Sequence, residues 1–134
     1  MFEYQCRITK IIDGDTIDVD IDLGFDQWFC NQRIRLYGID TPESRTRDLE
    51  EKKYGLRAKK FVEDFIPVGS SAIIETKKRQ KGDKYGRYLG DFRVGNKWLC
   101  KELLASHNAV PYHGQSKSDI KKAHLINRKL LNEN

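Results

Sequence analysis

Three carboxylates set the chemical question. Asp15 follows an Asp13-Gly14 turn signal, Asp40 lies just past a strand-like run, and Glu43 stands three residues beyond Asp40. If the three meet at one mouth of a small barrel, their mutual repulsion is costly unless a cation joins them. Their oxygens are hard donors with no histidine or thiol close by in the chain, a set that suits calcium first and magnesium or manganese second, ahead of zinc. An EF-hand is excluded, because the apolar alternation from Ile17 onward contradicts a twelve-residue loop with ligands at every second position. Arg35 and Arg87 complete the group, since guanidinium forks bind phosphate oxygens and stabilise the charge added to a pentacovalent phosphorus. Metal, carboxylates and two arginines point to phosphodiester hydrolysis.

Those residues need elements to carry them. Period-two alternation predicts strands over Gln5–Ile12 and Thr16–Leu23, joined at the Asp13-Gly14 hairpin signal. Ile17, Val19, Ile21 and Leu23 share one face of the second strand. Asp18, Asp20 and Asp22 share the other as solvated acids, while Asp15 has the parity of the apolar face and needs a partner. A third strand is expected over Cys30–Tyr37, after a long connection from Leu23 to Asn31 whose Phe25 and Trp28 would pack locally. Residues Ser44 to Lys53 read as a surface loop. A helix with the apolar stripe Tyr54, Ala58, Phe61, Val62 and Phe65 follows and stops before Pro67. Strands over Ser71–Thr76 and Tyr88–Val94 flank a loop, Lys77–Arg87, with six basic residues. A second helix covers about Trp98–Ser106. Ser118 would cap a third, from Asp119 to about Leu131, lined by Ile120, Ala123 and Leu130. Five strands with one helix between the third and fourth argue an α+β fold, a five-stranded OB-type barrel with three helices.

Composition narrows the class of protein. The chain has 134 residues, enough for one core and too few for a two-lobed enzyme, so a single domain over residues 1–134 is expected. Charged residues at 34% against 38% hydrophobics in short periodic runs fit neither disorder nor a membrane span. The net charge of +5 ranks a polyanionic partner above others without choosing one. Cys6, Cys30 and Cys100 are read as reduced and mostly buried. His107, His113 and His124 are read as solvated or helix-end residues, since no finger-like spacing joins them to the thiols. Met1 to Gln5 lack a signal-peptide pattern, so a cytoplasmic location is expected.

Each motif alone has a structural explanation. In order they resemble the staphylococcal nuclease (thermonuclease) family: Ile11–Thr16, Arg33–Glu43, Lys52-Lys53-Tyr54-Gly55 before an amphipathic helix, and Gly82–Gly90 match its characteristic segments over roughly Cys6 to Tyr112. The resemblance implies an OB-fold barrel and calcium-dependent cleavage of DNA and RNA, in single-stranded or flexible regions, to products ending in a 3′-phosphate. It implies Asp15, Asp40 and the Thr41 carbonyl as calcium ligands, with Glu43 positioning or deprotonating the attacking water. Arg35 and Arg87 would grip the scissile phosphate, Lys84 and Tyr85 a neighbouring one, and Tyr112 would either flank the nucleotide or pack as an ordinary tyrosine. The chain departs from the pattern around His107–Gln115, in the Leu23–Asn31 hairpin, and in lacking a tryptophan after Leu131. A monomer is expected. The alternatives are a non-catalytic OB module that only binds nucleic acid and a phosphodiesterase for a small nucleotide; retention of all five acids and arginines speaks against the first.

Overall fold

The computed structural model describes residues 2–77 and 87–132. In chain order the elements are β1 (Glu3–Asp13), β2 (Thr16–Gly24), β3 (Gln27–Leu36), β4 (Ile39–Asp40), α1 (Leu49–Phe65), β5 (Ser71–Thr76), β6 (Tyr88–Val94), β7 (Lys97–Trp98), α2 (Leu99–Ala105), β8 (Val110–Pro111) and α3 (Lys117–Asn132). The main sheet runs β3-β2-β1-β5-β6-β7, and a parallel pairing of Ile34–Leu36 with Tyr88–Gly90 joins β3 to β6. Five strands therefore close on themselves, leaving no free edge along the paired stretch. This is the expected α+β barrel with three helices. The short β4 and β8 form a separate antiparallel ribbon.

Alternation fills the barrel. Ile8, Ile17, Val19, Ile34, Leu36, Ile74 and Phe92 point inward and are fully buried, and Val62 and Ile66 from the α1 side and Leu99 and Leu103 of α2 close the core. Register shifts between Ile8 and Lys10 and between Ile11 and Asp13 break the period of β1, and the second leaves Ile12 as an extra residue, so that the neighbours Ile11 and Ile12 are both buried.

Several expectations need correction. The segment 23–31 is not a long connection: β2 and β3 continue into it, and only Phe25 and Asp26 separate the paired residues Gly24 and Gln27. Gly24, Phe25 and Asp26 all have positive φ (83°, 54° and 59°), which makes this tight turn hard to read from residue types. Phe25 is 99% exposed and packs against nothing, while Trp28 lies beneath the Arg7 guanidinium and Phe29 meets Tyr88 edge-on. The helix α1 starts at Leu49 rather than Tyr54, because the Asp48 carboxylate caps it by accepting from the Glu50 and Glu51 amides. The first turn of α3 is held by Ser116 Oγ, which accepts from the Asp119 amide, and not by Ser118. The buried residues of α3 are His124 and Leu131; Ile120 and Ala123 are only half-buried and Leu130 faces out. Asp18 is more than solvated, since it accepts two bonds from Arg33. Cys6 and Cys100 are buried as expected, but Cys30 is exposed. Most of the basic loop Lys77–Arg87, including Lys84 and Tyr85, lies outside the described residues. No helix among the described residues is long and apolar enough to cross a membrane.

Candidate active site

Small residues allow three segments to meet. An added Cβ at Gly55 would stand 2.2 Å from the Glu43 carbonyl oxygen, so α1 lies directly on the backbone of the 43–44 bend. One turn later, Ala58 meets Gly14, where a Cβ would approach both Ala58 Cβ and Thr41 Oγ1 to 2.9 Å. The β1–β2 turn, the bend after β4 and the first half of α1 thus share one junction. The Asp13 carboxylate ties it by accepting from the amides of Gly14 (3.2 Å) and Ser44 (3.1 Å). Burial pushes the Asp13 carboxyl upward from its ordinary value, against these hydrogen bonds.

Asp15 sits in the turn itself, one residue before β2. Its two oxygens accept from Thr16 Oγ1 (3.0 Å) and the Thr41 amide (3.3 Å). Its own carbonyl accepts from the Leu36 amide (2.9 Å), which fixes the end of β3 beside it. Arg35, opposite Thr16 in the ladder, therefore reaches into the junction. Its Nη1 donates to the Leu36 carbonyl (2.9 Å), while its Nη2 lies 3.5 Å from Asp15 Oδ2 and 3.4 Å from Asp40 Oδ1. One guanidinium nitrogen thus stands where the two carboxylates converge. The partner that the parity of Asp15 demanded is this arginine.

The β4–β8 ribbon sets Asp40. It pairs Asp40 with Val110 and, through the Tyr112 amide bonded to the Gly38 carbonyl (2.8 Å), brings Tyr112 alongside. The second oxygen of Asp40 accepts from His124 Nε2–H at 2.8 Å, and His124 is only 9% exposed. This corrects the reading of His124 as a solvated or helix-end residue. A separation of 84 positions from Asp40 left no local signal, and the spacing Lys117, Lys121, His124, Arg128 along α3 was the one hint that it faced the other polar groups.

These residues border a single cleft of about 940 Å³, lined by Asp13, Asp15, Arg35, Asp40, Thr41, Glu43, Glu51, Arg87 and Tyr112 and by one side of α3. Of the residues singled out in the sequence, Asp15, Arg35, Asp40, Thr41, Glu43, Arg87 and Tyr112 line it together. Tyr112 is exposed rather than packed in the core. Glu43 is exposed, and its carboxyl is raised above the usual value by partial desolvation and then by the charges of Glu51, Asp13, Asp40 and Asp15. Such crowding creates a field that attracts cations. Among the described residues, no three His, Cys, Asp or Glu side chains are arranged to hold a metal ion. The donor set that does converge, two carboxylates beside the Thr41 backbone, consists of oxygens, the donor chemistry that hard divalent ions prefer.

A closed five-strand barrel whose mouth gathers carboxylates and arginines defines a class of OB-fold proteins that engage polyanions. The chain belongs to the staphylococcal nuclease homologue family, whose signature matches residues 33–130. It is 34% identical over 107 residues to the thermonuclease of Staphylococcus hyicus, covering 77% of this chain and 59% of that protein. It is also 34% identical over 121 residues to the thermonuclease of Staphylococcus intermedius, covering 87% and 67%. An uncharacterised protein of Methanocaldococcus jannaschii is 31% identical over 109 residues, covering 69% and 50%. The chain thus spans about half to two thirds of the length of these relatives. The family supports a nuclease or nucleic-acid-binding role.

Proposed function

We propose that this chain is a divalent-cation-dependent nuclease that hydrolyses phosphodiester bonds of single-stranded or flexible DNA and RNA and leaves 3′-phosphate ends. The observation that carries the reading is the convergence of Asp15 and Asp40 on one Arg35 nitrogen, in a cleft shared with Glu43 and Arg87. Asp15, Asp40 and the Thr41 carbonyl would hold the ion, calcium before magnesium or manganese, and the bound ion would supply positive charge that draws a phosphate to the mouth. Arg35 and Arg87 grip the scissile phosphate and stabilise the charge it gains. Glu43, exposed at the rim with its carboxyl raised, orients a water and accepts its proton. Lys84 and Tyr85 contact the adjoining phosphate, and Tyr112 offers its ring to a base.

The test follows cleavage of single-stranded DNA and RNA with calcium, with magnesium, or with chelator. Calcium-stimulated cleavage that chelation abolishes is the expected result, with 3′-phosphate ends in the products. A second reading, a module that binds nucleic acid without cutting it, draws on the lack of a three-acid metal cluster among the described residues. Binding of the oligonucleotide without cleavage under any of these ions would favour it.

A further inference from the structure

Arg33 is paired with Asp18, Arg93 with Glu3, Lys60 with Asp64 and Lys77 with Glu75, all away from the cleft. On α3 the pattern differs. Lys117, Lys121, His124 and Arg128 recur at intervals of four, three and four, which places them on one side of the helix, and all four line the cleft. Among the described residues, no carboxylate lies within ion-pair distance of Lys117, Lys121 or Arg128, although Glu43, Asp48 and Glu51 line the same cleft.

The helix is also held in a fixed orientation. His124 bonds Asp40, Asn127 Nδ2 donates to the Ala109 carbonyl (3.1 Å), and the Tyr54 hydroxyl donates to Asn132 (2.8 Å). The Arg128 guanidinium lies over the Tyr54 ring, 5.4 Å from its centre, and its Nε is buried without a hydrogen-bond partner. An aromatic face thus orients this cation, and among the described residues no acid pairs with it. With His124 occupied by Asp40, three cations remain along about 16 Å of helix axis. At roughly 3.4 Å per stacked nucleotide, that length spans about five nucleotides.

We propose that the cleft-facing side of α3, through Lys117, Lys121 and Arg128, is a track for the sugar–phosphate backbone of a single strand, extending the site several nucleotides beyond the scissile phosphate. The inference rests on the nuclease reading and adds a length requirement to it. His124, between Lys121 and Arg128, bonds Asp40, so the track starts at the scissile site and a longer ligand engages more of it.

The test measures affinity for oligothymidylates of three and ten nucleotides by fluorescence anisotropy, with chelator present so that nothing is cut. The variants are Lys117→Glu/Lys121→Glu, Lys117→Ala/Lys121→Ala and Arg35→Ala/Arg87→Ala. An acid at position 117 sits in the first turn of α3, where the helix dipole accepts it, and thermal melting checks the fold of each variant. In the parent, affinity should rise from the trimer to the decamer. The charge reversal should weaken the decamer about tenfold and the trimer less than about twofold. It should also reduce the slope of log affinity against log salt by about 1.4, at about 0.7 per lost single-strand phosphate contact. The alanine pair should show the same loss in smaller measure. If the parent gains affinity with length and both lysine pairs keep that gain, the track is wrong while the nuclease reading stands, provided Arg35→Ala/Arg87→Ala weakens both lengths. A parent that binds neither oligonucleotide overturns the track, and cleavage of the same oligonucleotides once calcium is added decides separately whether the nuclease reading stands.

Discussion

Replacing Gly55 with alanine sets two effects of opposite sign against each other. In an exposed helix interior the change is stabilising by about 1 kcal/mol, because glycine has the larger backbone entropy to lose. Here the new methyl carbon would stand 2.2 Å from the Glu43 carbonyl oxygen, 2.4 Å from its carbon and 2.6 Å from the Ser44 nitrogen. Ordinary contact is roughly 3.5 Å, so α1 and the bend must part by about 1 Å. Backbone atoms cannot rotate aside as a flexible side chain would. The upper part of the overpacking range applies, about 3 kcal/mol, and the net loss is about 2 kcal/mol. For a chain of this size that lowers Tm by roughly 6–10 °C, measurable by calorimetry or circular dichroism. The same shift moves Glu43 against the arginines, and a misplacement of about 1 Å is commonly worth about 100-fold in rate. A Gly55→Ala protein as stable as its parent, or more so, would refute the direct seating of α1 on the 43–44 bend.

Four further outcomes are expected. Glu43→Ala and Arg87→Ala should each lower turnover on single-stranded DNA by about 100-fold or more with folding intact, and steady-state kinetics that show an unchanged rate would remove that residue from its role. His124→Ala removes the closer of Asp40's two donors and leaves only Arg35 Nη2 at 3.4 Å, so stability should fall by about 1–3 kcal/mol in urea titrations and calcium should bind more weakly by calorimetry; equal calcium affinity would detach His124 from the site. In the native protein one thiol, Cys30, should react with an alkylating reagent at pH 8, while Cys6 and Cys100 react only on unfolding. Burial pushes the Cys6 thiol up to about 12 from 9.0. The unfolded chain therefore loses this proton first as pH rises, and stability should fall between about pH 9 and 12, less so in Cys6→Ala.

The barrel was legible because its signals are local. Alternation in Thr16–Leu23 and the Asp-Gly turn specify a hairpin within a dozen residues, and the acids and arginines of the site stand in short ordered motifs. The early start of α1 was missed, because Ser44 to Lys53 has no apolar period, although Asp48 with Glu51 three residues on is a capping pattern. The β2–β3 turn was not legible, because Phe25 and Asp26 adopt positive φ where glycine or asparagine is the usual sign. Nor was the partnership of His124 with Asp40. It depends on how α3 crosses the barrel mouth, a tertiary matter on which neither residue's neighbours bear. The two-residue strands β4 and β8 are too short for any periodicity to announce them.

The ribbon those two strands form has a consequence for the nascent chain. All five strands of the closed barrel, with α1, lie before residue 95, so the barrel can form first and Leu99 and Leu103 of α2 close its core afterwards. Asp40 gains its ladder partner only when Val110 has left the ribosome, and its imidazole donor only with His124. During synthesis the barrel therefore precedes the cleft, whose Asp40 stays without its ladder and imidazole partners until residues 110 and 124 have followed.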